Sequence, residues 1–175
     1  MIKRIFQDLD ECILHTRVND MPDAGDEYVE FNLGEDTHTY RTVVRPCAKS
    51  LFEYYNSVVG KENVYILTAA TRDYAKELNR ICEFGLDDDH IYAREDTDAQ
   101  RTRMGWGGSS HDRFSIADKK NVLIDNLHWR YNANKTNLIG IKENRYHQTR
   151  DYYGINLPDD YFFEDIKTFI KKMLD

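Results

Sequence analysis

The sequence predicts an α/β fold, with a parallel sheet flanked by helices and a small β-hairpin inserted near the N-terminus. Three observations lead there. Short apolar runs bounded by polar residues recur at 2–6, 64–67, 122–125 and 138–141, with a weaker one at 90–93. Such runs suit strands buried on both faces. Segments with helical apolar spacing lie between them, so strand and helix alternate as right-handed crossovers require. Residues 28–44 break this alternation with a period of two.

The elements follow in order. Residues 2–6 form the first strand. In 28–44, Val29, Phe31 and Leu33 alternate with Tyr28, Glu30 and Asn32, Gly34-Glu35-Asp36 makes a turn, and a β-rich run continues to Val44; this reads as a hairpin. Leu51, Tyr55 and Val58 share one helical face, and Tyr74, Leu78 and Ile81 share another. Residues 96–112 are polar and Gly-rich, a loop long enough to be either functional or mobile. A last helix carries the stripe Phe162, Ile166, Phe169, Ile170 and Met173, with Asp159 or Asp160 as N-cap after Pro158.

A chain of 175 residues, 41% hydrophobic, fits a single domain spanning 1–175 with one core. Its net charge of −7 makes it a poor partner for duplex nucleic acid. The opening MIKRIFQDLDECIL has its apolar run interrupted by acids, unlike a signal peptide, and no stretch approaches the roughly 18 apolar residues of a membrane span. Cys12, Cys47 and Cys82 are scattered and odd in number, which speaks against a disulfide framework or a zinc site. The expectation is a soluble protein of a reducing compartment, cytoplasmic or nuclear.

The most informative residues are Asp8 and Asp10, which leave the first strand two positions apart. Asp125-Asn126 ends the NVLID run and Thr68 ends VYIL. Each alone is an ordinary strand-end turn residue. Together they bring carboxylates and neutral oxygens to the carboxyl ends of strands, where open α/β sheets bind ligands. Gathered carboxylates repel unless a hard cation sits among them, and Mg²⁺ takes few protein ligands while bridging to phosphate oxygens. A carboxylate can also attack phosphorus to give an aspartyl-phosphate.

These residues resemble the haloacid-dehalogenase (HAD) superfamily. Its first motif, DxDx[T/V], corresponds to Asp8-Leu9-Asp10-Glu11-Cys12; its second, a Thr or Ser ending a strand, to Thr68; its fourth to Asp125-Asn126. Within it the chain looks most like the FCP/SCP-type phosphatases, which act on the RNA polymerase II C-terminal tail and carry DLDETLVH where this chain has DLDECILH. The flap at 28–44, Arg45-Pro46, Thr68-Ala69, Arg72-Asp73-Tyr74-Ala75 and Ile124-Asp125-Asn126 extend the resemblance. It implies a Rossmann-like core with a small hairpin flap. It also implies Asp8 as nucleophile, Asp10 as acid and then base, and Thr68 as a hydrogen-bond donor to the phosphoryl group. Mg²⁺ would be held by Asp8, the Asp10 carbonyl, and Asp125 or Asn126.

Two features depart from the pattern. Cys12 replaces Thr or Val, a near-isosteric change with a mild expected effect. The third motif needs a cation, normally Lys; spacing favours Arg113, twelve residues before Asp125, with Lys119 or Lys120 as alternatives. Arg and Lys are not equivalent where a point charge meets both phosphoryl group and nucleophile.

Other residues are less diagnostic. His15, in the loop after the aspartates, is either solvated or a substrate contact. Trp106 is either an aromatic contact or a plug at the core edge, while Trp129 reads as packing. Cys47 and Cys82 read as small buried hydrophobes.

The expected activity is therefore a Mg²⁺-dependent phosphomonoesterase acting on an extended phosphorylated substrate such as a phosphopeptide. The alternative is a nucleotidase or polynucleotide 3′-phosphatase, which Arg101, Arg103 and Arg113 would favour. The rival from another class is a catalytically dead binding module of the same fold.

Overall fold

The computed structural model describes residues 1–22, 24–96, 118–125, 137–140 and 159–174, with backbone alone at 137–140 and 159–163. In chain order the elements are β1 (Arg4–Gln7), β2 (Leu14–Val18), β3 (Val29–Phe31), β4 (Tyr40–Val44), α1 (Ala48–Val59), β5 (Val64–Leu67), α2 (Arg72–Ile81), β6 (Ile91–Tyr92), β7 (Asn121–Asp125), β8 (Asn137–Gly140) and α3 (Asp159–Leu174).

Five strands make one parallel sheet in the order β6-β5-β1-β7-β8. The chain runs outward from β1 to β5 and β6, then returns to β1's other side for β7 and β8. The order thus reverses at β1, the kind of switch point beside which open α/β sheets bind their ligands.

The strands alternate between two apolar clusters. Ile5, Val64, Ile66, Val122 and Ile124 pack with Leu51, Phe52 and Tyr55 of α1, with Tyr74, Ala75 and Leu78 of α2, and with Ile166 and Ile170 of α3. Phe6, Leu67 and Leu123 form the second cluster, with Tyr65 and Tyr92 against it. Within the first cluster Phe52 stacks on Phe84 at 4.3 Å between ring centroids.

Helix ends are fixed by particular contacts. Gly60 ends α1 at φ +84°, its amide donating to the Asn56 carbonyl at 3.0 Å. Few residues other than glycine adopt that backbone. The N-terminus of α2 is capped from a distance: the Arg72 amide donates to the Glu95 carboxylate at 3.0 Å. A carboxylate there also complements the helix dipole.

A second, antiparallel sheet has the order β2-β4-β3. The hairpin predicted over 28–44 is therefore two strands of a three-stranded flap. The missing strand is β2, whose residues pair with β4 from Leu14↔Val44 to Val18↔Tyr40. His15 accordingly sits in a strand opposite Val43, not in a loop. The flap packs down through Phe31, whose ring lies 5.3 Å from Tyr40 and 6.0 Å from Tyr74 of α2.

Strand boundaries shift from the predicted ones. β1 ends at Gln7 because this glutamine is wholly buried and paired on both sides. β6 is two residues long, since Asp88–His90 form a 3-10 turn before it. In α3, Ile166 and Ile170 are buried while Phe169, at the edge of the predicted stripe, is 49% exposed. Asp159 is the first residue of that helix. Most of the predicted 96–112 loop lies outside the described residues. Among the described residues, no helix is long and apolar enough to cross a membrane.

Candidate active site

Gln7 pairs with Ile66 on one side and Ile124 on the other. The pairing continues one residue further, because the Asp8 amide donates to the Ile124 carbonyl at 2.9 Å. On the next strand the Thr68 amide donates to the Tyr92 carbonyl at 2.9 Å. Asp8, Thr68 and Asp125 thus stand at the carboxyl ends of three neighbouring parallel strands, and all three are buried, at 5%, 1% and 1% exposure.

The chain then turns sharply. The Leu9 carbonyl accepts from the amides of Cys12, Ile13 and Leu14 at 3.2, 3.0 and 3.3 Å. Leu9, Cys12, Ile13 and Leu14 are all fully buried. Burying these four anchors the turn and leaves Asp10 half-buried at its bend. Glu11 takes a left-handed conformation at φ +59°, and its amide donates to the Leu14 carbonyl at 2.9 Å. Such a conformation costs a non-glycine residue about 1–3 kcal/mol, and it persists where the surroundings enforce it. Here the Glu11 carboxylate is also held by His15 Nδ1 at 2.5 Å, and Arg45 Nε donates to the Cys12 carbonyl at 3.2 Å.

Beneath the turn lies a buried polar network. The Tyr55 hydroxyl donates to Gln7 Oε1 at 2.8 Å. Gln7 Nε2 donates to the Asp8 carbonyl at 2.7 Å and to Cys12 Sγ at 3.2 Å. Burial pushes the Cys12 thiol well above its ordinary pKa, and the nearby carboxylates of Asp8 and Asp125 push it further. It is therefore a neutral, buried group beside the two acids.

Above the turn, the Tyr74 hydroxyl donates to Asp10 Oδ1 at 2.6 Å and lies 2.5 Å from Thr16 Oγ1, itself 2.7 Å from Thr42 Oγ1. Burial and then Asp10 hold the Tyr74 phenol well above its ordinary pKa, so it remains a neutral donor. Apolar spacing alone puts Tyr74 on a helix stripe; the resemblance at Arg72-Asp73-Tyr74-Ala75 is the one sequence signal for more. Thr68 Oγ1 accepts from the Ala70 amide at 3.1 Å.

The two lysine candidates fall elsewhere. Lys119 and Lys120 are exposed in the turn that precedes β7. There the Asp118 carboxylate accepts from the Lys120 amide at 2.8 Å, and the Lys120 carbonyl accepts from Lys3 at 2.6 Å. That is the opposite edge of the sheet. At about 3.3 Å per strand residue, Lys119 starts about 20 Å from Asp125 along β7, beyond a lysine's reach. The structure does not bring either lysine to the aspartates. Arg113, Asn126, Arg101, Arg103, Trp106 and Trp129 lie outside the described residues.

Asp8, Asp125 and the Asp10 carbonyl offer hard oxygen donors, the chemistry that suits Mg²⁺. Among the described residues no cluster of three or more His, Cys, Asp or Glu side chains could by itself hold a metal.

The family model for NLI interacting factor-like phosphatase matches residues 3–173. Among solved structures, Fcp1, described as an essential RNA polymerase II CTD phosphatase, superposes with a TM-score of 0.58 at 20% identity, covering 98% of this chain and 49% of that one. Fission yeast Fcp1 in an arginine-to-alanine variant bound to beryllium fluoride gives 0.55 at 20% identity, covering 98% and 50%. The chain therefore spans about half the length of these structures, and at that identity they speak for the fold. No curated protein matches the sequence. With a family match over nearly its whole length and a core built as its motifs implied, the chain belongs to the NLI interacting factor-like phosphatases, of the FCP/SCP type within the haloacid-dehalogenase superfamily.

Proposed function

We propose that residues 1–175 form one Mg²⁺-dependent phosphomonoesterase domain that removes phosphate from a protein segment through an aspartyl-phosphate. The observation carrying this reading is the set of Asp8, Thr68 and Asp125 on three adjacent strand ends, with Asp10 two residues after Asp8. The likeness to structures described as RNA polymerase II CTD phosphatases supports a phosphoprotein substrate.

In this mechanism an Asp8 carboxylate oxygen attacks phosphorus, and the substrate oxygen leaves with a proton from Asp10. Asp10, now ionised, takes a proton from water as that water attacks the acyl phosphate. Phosphate departs and Asp8 is regenerated. Thr68 donates to a phosphoryl oxygen, which stabilises charge where it develops. Asp8, the Asp10 carbonyl and Asp125, with Asn126, would hold Mg²⁺, whose chemistry is to neutralise phosphoryl charge. Of the third-motif candidates Arg113, Lys119 and Lys120, both lysines start at the far edge of the sheet, which favours Arg113.

The test is hydrolysis of p-nitrophenyl phosphate with Mg²⁺ by the wild type and by Asp8→Asn. Turnover in the first and none in the second is expected; equal turnover by both, or none by either, overturns the reading. A panel of phosphopeptides, deoxynucleoside monophosphates and 3′-phosphorylated oligonucleotides then tests the substrate. Preference for the nucleotides or oligonucleotides would replace the phosphoprotein assignment.

A further inference from the structure

We infer that Tyr74 is a positioning residue for Asp10, and that it ties the acid–base group to the flap through a one-way chain of hydroxyls, Thr42 to Thr16 to Tyr74 to Asp10. This rests on the reading of Asp10 as the proton donor to the leaving group.

The direction of the chain follows from counting protons. The Tyr74 hydroxyl donates to Asp10 Oδ1 at 2.6 Å, which uses its one phenolic proton. Tyr74 must then accept from Thr16 at 2.5 Å, and Thr16, its proton spent, must accept from Thr42 at 2.7 Å. Bonds aligned in this way polarise one another. They also join three separate elements. Tyr74 is on α2, Thr16 on β2 and Thr42 on β4, and the two threonines face each other in the flap register.

The parts are held firmly. Thr42 is wholly buried and Tyr74 is 6% exposed. The Tyr74 ring lies against Phe31 at 6.0 Å and Tyr40 at 5.8 Å, both from the flap. The phenol holds Oδ1 and so fixes the direction in which the Asp10 carboxyl points. Thr16 and Thr42 belong to the flap, so these bonds link the flap to the hydroxyl that holds Asp10. General acid catalysis depends on such placement.

A leaving-group comparison with substrates of nearly equal size separates this role from substrate binding. p-Nitrophenyl phosphate releases a stable phenolate and needs little protonation, whereas p-nitrobenzyl phosphate releases an alkoxide and needs much. kcat/KM reports the steps through the first release. For Tyr74→Phe, which keeps the ring and removes the hydroxyl, we expect kcat/KM to fall about tenfold or more with the benzyl ester and by a clearly smaller factor with the phenyl ester. Thr16→Val, which leaves Tyr74 intact, should show the same pattern at reduced size. Equal losses on both substrates, or no loss on either, overturn the inference. Asp10→Asn serves as the reference. If it lacks the leaving-group-dependent loss, Asp10 is not the acid and the underlying reading fails; if it shows that loss and Tyr74→Phe does not, the positioning role alone fails.

Discussion

The Asp8 amide donates to the Ile124 carbonyl at 2.9 Å, which extends the parallel pairing of β1 and β7 one step past Gln7. Residues in register on parallel strands present their side chains to the same side. Asp8 and Asp125 therefore leave their strands as neighbours, both buried. Two carboxylates so placed favour a bound divalent cation, and binding to the folded state alone stabilises it. Mg²⁺ at about 100 times its dissociation constant should add about 2.7 kcal/mol. That corresponds to a rise in melting temperature of about 5–10 °C for a chain of this size. Thermal denaturation with and without Mg²⁺ measures this, and Asp125→Asn should lose most of the rise. An equal rise in the variant would place the ion elsewhere.

Tyr55→Phe should destabilise the fold through Gln7. Both residues are wholly buried, and the tyrosine hydroxyl donates to Gln7 Oε1 at 2.8 Å. Removing it orphans a buried amide oxygen, at a cost of about 1–3 kcal/mol. Gln7→Leu should cost more, because it also releases the Asp8 carbonyl that Gln7 Nε2 holds at 2.7 Å. Urea unfolding midpoints at constant slope give both values. A near-neutral Tyr55→Phe would show that the network adds nothing to stability.

How much of this could be read from the residues depended on the range of the interaction. The apolar run at 64–67 became β5 without change, because its burial is written in its own composition. Asp8, Thr68 and Asp125 were legible for a related reason: parallel strands align their carboxyl ends, so residues ending apolar runs meet at one edge. Leu14–Val18 was not legible. Its polar residues look like a loop, and only pairing with Tyr40–Val44 makes it a strand. Tyr74 was legible by half: spacing gave its ring to the core, but the partner of its hydroxyl is 64 positions away. Sequence proximity to Asp125 made Lys119 a candidate, whereas the direction of β7 carries it to the far edge.

The flap turn should respond to acid. The Asp36 carboxylate accepts the His38 backbone amide at 3.0 Å, binds the His38 ring, and accepts the Tyr40 hydroxyl at 2.8 Å. These bonds, the His38 amide first, hold its pKa below the ordinary aspartate value. A carboxyl whose pKa is depressed by folding contributes stability above its unfolded pKa of about 3.9, lost as pH falls through the lower folded value. Carboxyl carbon chemical shifts followed from pH 6 to pH 2 should place the Asp36 midpoint below about 3.9. A midpoint at or above that value would mean the turn is not held by these bonds.

Thr68 should act through its hydroxyl proton. Its Oγ1 accepts from the Ala70 amide at 3.1 Å, which orients the hydroxyl and engages an oxygen lone pair. The proton remains to be given to a phosphoryl oxygen. The residue is 1% exposed, so this donor is shielded from competing water. Thr68→Ser keeps both features and should retain kcat/KM to within about threefold, whereas Thr68→Val keeps the shape and loses the donor, for a fall of about a hundredfold. The contrast matters more than either number, because valine fills the same space and a packing role would survive it. Equal activity in the valine variant would remove Thr68 from the chemistry and leave it a strand-end turn residue.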